Sequence, residues 1–104
     1  MHEFLFLYRL PMDHKNSGDD VAAWNTWLAS LGEDVRDVGK PVTDAATLGT
    51  GAPLLCLTGY SIVAATDLQS AEEIASRCPA LASGGAVEVG TLIEMPEGHG
   101  PESE

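Results

Sequence analysis

LTGYSIVAATDLQSAEEIASRCP, residues 57–79, runs a strand, a capped helix and a stop together without a linker. Tyr60, Ile62 and Val63 give LLCLTGYSIVAAT the β-branched and aromatic content of a strand, and Gly59 marks a bend or a close backbone approach. Asp67 is placed to cap the helix that follows, with Ser70 and Glu73 offering an alternative capping box. Ala71, Ile74, Ala75 and Cys78 recur at i, i+3, i+4 and i+7, so one stripe of the helix is apolar. Pro79 has no N–H to donate and cannot continue it.

Downstream, the SGG turn leads into AVEVGTLIEM, whose alternation places Val87, Val89, Thr91, Ile93 and Met95 on one face of a strand. Upstream, Val21, Trp24, Leu28, Leu31 and Val35 mark one face of a helix, capped by Asp19 or Asp20 and weakened or ended at Gly32. Trp24 falls in that stripe as a core residue, and Trp27 lies beside it. RDVGKPV is broken by Gly39 and Pro41, so a strand there is brief or at an edge, and 43–53 is a Gly-rich loop. The opening strand HEFLFLYRL is apolar on both sides, with Phe4, Phe6 and Tyr8 on one face and Leu5 and Leu7 on the other.

The order is β-α-β-β-α-β, an α+β chain on the ferredoxin-like plan, with one antiparallel sheet and both helices on one side. Two helices cover only one face of such a sheet. The doubly apolar first strand therefore calls for a second cover, which a second copy of the chain supplies most economically, as a two-fold homodimer forming a dimeric α+β barrel. Residues 1–96 form a single domain, and 97–104 a flexible acidic tail.

Composition removes several function classes. With 16 acidic against 5 basic side chains, for a net charge of −11, the chain lacks the basic surface that nucleic acid or an anionic membrane would need. The same balance suits a solvated acidic surface or a salty cytoplasm. FLFLYRL is interrupted by Arg9 and followed by Pro11, which excludes a signal peptide or membrane span and points to a soluble cytoplasmic protein. Cys56 and Cys78 have apolar or small neighbours and read as buried thiols, not a disulfide or metal pair. His2, His14 and His99 lie on distant elements, so neither a metal nor any other cofactor is expected.

The run GYSIVAATDLQSAEEIASRCPALASGGAVEV, residues 59–89, resembles the C-terminal half of the YCII-related (YciI-like) family in its strand, Asp cap, E-A-x-x-x-A-type helix, C-P stop and closing V-E-V strand. EFLFLYR, the Trp-bearing helix and GKPV are similar to that family's opening strand, first helix and G-x-P turn, so the likeness extends in order over residues 2–95. It implies a dimeric α+β barrel, in some relatives with a His and an acidic residue near the sheet cleft. The chain departs from the pattern twice: the first helix has no histidine, and LLCLT stands where other members carry DGPF.

His14, next to Asp13 in the loop after the first strand, is a candidate general base, against the plainer reading of a solvated loop pair. Asp37 is the nearest match to the family's acidic residue, against the alternative of an edge-strand charge that blocks aggregation. Arg9, on the face of Leu5 and Leu7, could hold a ligand carboxylate or form an inter-subunit ion pair. Tyr8, Trp27 and Tyr60 are candidates to line an apolar pocket, or else packing contacts. GTGAP and SGGA lack P-loop spacing, and no serine has a nucleophile-elbow setting. The expected function is binding of a small, partly apolar molecule in a cleft at the sheet and dimer interface; if the chain is an enzyme, the expected chemistry is cofactor-free, with His14 or Asp37 moving the proton and Arg9 holding an anionic group. A non-catalytic accessory module acting through a protein partner is the alternative, and a heme-free monooxygenase of the same architecture a third reading by fold analogy.

Overall fold

The computed structural model of the chain describes residues 1–15, 17–51 and 54–94. Its elements are β1 (His2–Pro11), α1 (Gly18–Leu31), a 3-10 turn (Gly32–Asp34), β2 (Val35–Asp37), β3 (Leu55–Ala65), α2 (Leu68–Ala75), the one-turn α3 (Pro79–Ala82) and β4 (Ala86–Thr91). The four strands form one sheet in the order β2-β3-β1-β4, every neighbouring pair antiparallel. No helix among the described residues is long and apolar enough to cross a membrane. Met95, His99 and the 97–104 tail lie outside the described residues.

Strand alternation sets the layers. Phe4, Phe6, Tyr8 and Leu10 of β1 are buried beneath the helices together with Ser61, Val63 and Ala65 of β3. Trp27 of α1, Ala71 and Ala75 of α2, and Cys78 and Ala80 around α3 close that core from the other side. The small residues of α2 let the helix approach the sheet closely, and the bulk in the gap comes from β1 and from Trp27. On the opposite face Leu5, Leu7 and Arg9 are half-buried, with Leu5 opposite Ile62 and Leu7 opposite Tyr60.

Several local expectations change. Ser17, not Asp19 or Asp20, caps α1: its hydroxyl accepts from the Asp20 N–H at 3.2 Å, and the Asp20 carboxylate accepts from the Ser17 N–H at 2.9 Å. Asp20 therefore serves as the third-position partner in a capping box. Trp27 is the buried tryptophan of α1 at 6% exposure, while Val21, at 54%, lies at the open end of the expected stripe. Gly32, with φ 56°, ends the helix, so Val35 leaves the helical stripe and pairs in β2 with Val63. Cys56 is exposed and only Cys78 is buried. β4 stops at Thr91, which leaves Ile93 82% exposed instead of aligned with Val87 and Val89.

Asp67 caps α2, its carboxylate accepting from the Ser70 N–H at 2.8 Å. α2 ends at Ala75, short of the expected stop, so Cys78 lies beyond it and Pro79 instead starts α3, where a missing N–H does no harm. Gly59 is a point of close approach: a side chain there would press on the Lys40 carbonyl, 3.3 Å away.

Candidate functional site

Beyond β2 the chain does not leave the sheet. Pro41 bridges to Gly59, and the Val42 N–H donates to the Thr58 carbonyl at 2.8 Å. The Ser61 hydroxyl donates to the Val38 carbonyl at 2.7 Å. Residues 38–42 are thereby pinned along the edge of β3. At Gly39 the backbone has φ +76° and lies directly on the Tyr60 carbonyl, so that a Cβ has neither the conformation nor the room. On β3, Thr58 is the extra residue of a bulge, because Tyr8 pairs with Gly59 while Arg9 pairs with Leu57.

The pinned segment stands off from α1, and a cleft of about 390 Å³ opens between them. Val21, Trp24, Asn25 and Leu28 of α1 form one wall, Val38 to Pro41 the other, and Thr58 to Ser61 with Tyr8 and Leu10 the sheet side. The four α1 residues are at i, i+3, i+4 and i+7, a single helix face. A smaller hollow of about 210 Å³ lies between Glu72, Ala75 and Ser76 of α2, Leu81 of α3, and Val87 and Val89 of β4.

Aromatic rings join cleft to core. Tyr8 meets Trp24 edge to face with centroids 4.7 Å apart, and Trp27 lies 6.0 Å from Tyr8 and 5.8 Å from Trp24. The Tyr8 hydroxyl and the Trp27 indole N–H are buried without a hydrogen-bond partner. Burial pushes the Tyr8 phenol up to about 12, a rise that the nearby Ser61 hydroxyl tempers.

The sequence candidates do not gather into one group. Tyr8 lines the cleft, and Tyr60 borders it from β3 at a position that pairs with Leu7 on the opposite face of the sheet. Trp27 stands behind them in the core, and Trp24 takes the place at the wall. Asp37 lies at the base of the pinned segment, where its carboxylate accepts from the Gly39 N–H at 2.8 Å, and it is not part of the lining. Arg9 is on the other face of the sheet, its guanidinium 3.5 Å from Glu88 of the same chain. His14 sits at the start of α1 with Nε2 3.5 Å from Asp20, not Asp13. The Ser17 N–H, chiefly, and also the proximity of His14 hold the Asp20 carboxyl below its ordinary value. The cleft itself lies within one chain, on the helix side of the sheet, whereas the sequence reading places it at the dimer interface.

Val21, Trp24, Asn25 and Lys40 also line the cleft, none of them among the candidates above. One signal for the α1 members was available: Asn25 is a polar residue on an otherwise apolar face, adjacent to the stripe that includes Trp24.

The fold recurs in a solved structure, 5-chloro-2-hydroxyhydroquinone dehydrochlorinase (TftG) from Burkholderia phenoliruptrix AC1100 in complex with 2,5-dihydroxybenzoquinone. It superposes with a TM-score of 0.60 over 89% of this chain and 95% of that one, at 20% sequence identity. The fold is ferredoxin-like. At that identity the likeness concerns the ferredoxin-like architecture alone. Neither a protein-family model nor a curated protein matches the chain.

Proposed function

We propose that the protein is a YCII-like homodimer in which each chain binds a small, partly apolar molecule in the cleft between α1 and the β3 edge. The observation that carries this reading is the cleft itself. Its volume of about 390 Å³ falls in the range of small-molecule sites, and its walls combine aromatic rings with few polar groups. Its polar members, Asn25, Lys40, Thr58 and Ser61, are spread around an apolar lining, a distribution that suits orientation of a ring-sized ligand. The complex of TftG with a single six-membered ring bearing oxygen substituents supports a ligand of that scale on this architecture.

Binding, and not proton transfer, is the function that the geometry supports best, because His14 and Asp37 both stand outside the lining. The test is a titration of uniformly labelled protein with 2-naphthol, followed by amide and indole resonances. Binding in the cleft shifts the Trp24 indole and the Gly39 and Gly59 amides together and saturably. No shift at millimolar probe, or shifts confined to other surfaces, would overturn the reading and leave the accessory module in its place.

A further inference from the structure

The cleft has one formally charged residue in its lining, and that residue is a cation, Lys40. The rest of the chain is biased the other way, with 16 acidic against 5 basic side chains and only two lysines. Lys40 is exposed and takes part in no ion pair among the described residues, whose two such pairs are Arg9–Glu88 and His14–Asp20. Asp37, the acid nearest to it in sequence, is turned to the Gly39 N–H and does not reach the lining. The backbone at Lys40 is fixed by its contact with Gly59 and by the tie points on either side of it, at Val38 and Val42. The Lys40 ammonium group is solvent-exposed, so its attraction for an anion is that of a surface ion pair, a modest gain that salt reduces.

We infer that the cleft is selective for a flat, conjugated ring carrying a carboxylate, with the ring against Trp24 and the carboxylate at Lys40. This rests on the proposal that the cleft binds a small molecule at all. A cationic ligand finds no carboxylate in the lining, and a neutral ring leaves Lys40 unused.

Two probes of the same shape separate the two ideas: naphthalene-2-carboxylate and naphthalene-2-carboxamide, titrated calorimetrically into the intact protein at neutral pH. The carboxylate is expected to bind about threefold more tightly, the scale of an exposed ion pair. Lys40→Met lowers its affinity to that of the carboxamide, and Lys40→Arg retains the preference. Lys40 is exposed, so both variants keep the fold, which circular dichroism verifies. Equal affinities in the wild type, or a preference that survives Lys40→Met, overturns the carboxylate inference while the cleft remains a binding site. Failure of both probes to bind overturns the inference together with the reading beneath it.

Discussion

Tyr8 occupies the most consequential single position in the chain, because its ring is shared between the core and the cleft. Its hydroxyl is buried with no partner, and an orphaned polar group of this kind costs about 1–3 kcal/mol. Tyr8→Phe is therefore expected to stabilise the protein by about 1 kcal/mol, seen as a higher urea midpoint at pH 7. The sign of the pH effect follows from burial. The folded phenol titrates at about 12 and the unfolded one near 10.0, so its contribution is intact below pH 10 and is lost as pH rises toward 12. Burial likewise raises the Cys78 thiol from 9.0 to about 11, which gives an alkaline loss that starts lower. Thermal midpoints between pH 8 and 11.5 should fall for both proteins, with Tyr8→Phe retaining only the Cys78 part. A Tyr8→Phe variant less stable than wild type would mean that the hydroxyl has found a partner.

At the scale of elements, the wall of the cleft depends on a strand of three residues and the four that follow it. β2 alone has too few ladder bonds to hold an edge, so the hydroxyl of Ser61, the Val42–Thr58 bond and the flat contact at Gly39 complete it. Gly39→Ala introduces both an unfavourable φ and a clash with the Tyr60 carbonyl. The expected result is a loss of about 2–3 kcal/mol in urea unfolding, together with loss of probe binding in the cleft. The start of α2 behaves differently. The Asp67 carboxyl is held below its ordinary value chiefly by the Ser70 N–H, so its stabilisation is present above the usual carboxylate range and is lost as pH falls through the depressed value. Asn caps helices about as well as Asp. Asp67→Asn should keep the neutral-pH thermal midpoint close to wild type and fall less steeply between pH 5 and 3; equal slopes would remove Asp67 from the acid response.

At the scale of the whole molecule, the helix-free face of the sheet is where the proposed pairing belongs. Leu5, Leu7 and Ile62 lie there half-buried, rimmed by the Arg9–Glu88 pair. Leu7 stands opposite Glu88 in the β1–β4 register, so a lysine at position 7 can be accommodated within one chain beside that carboxylate. Two such faces brought together would instead bury added charge. Leu7→Lys is therefore expected to sediment as a monomer with an unchanged far-ultraviolet spectrum, against a wild-type dimer. A wild-type monomer would sink the pairing and leave the cleft untouched, since every residue of its lining comes from one chain.

The amino-acid sequence by itself determined the order of the elements, the cap at Asp67 and the ferredoxin-like plan. Those features rest on short-range chemistry: residue periodicity and a side-chain oxygen three residues from an N–H. The sequence also carried enough to place Tyr8 and Tyr60 beside the sheet. Only the tertiary structure decided which tryptophan faces the cleft, because the rotation of α1 about its axis is set by its packing on β1 and β3. Trp24 lies in its apolar stripe and Trp27 just beside it, so periodicity permits either choice. The partners of Arg9 and His14 were illegible for a related reason. Strand register brought Glu88 to Arg9, and the Ser17 cap placed Asp20 within reach of His14, so the neighbours in sequence lost to neighbours in space.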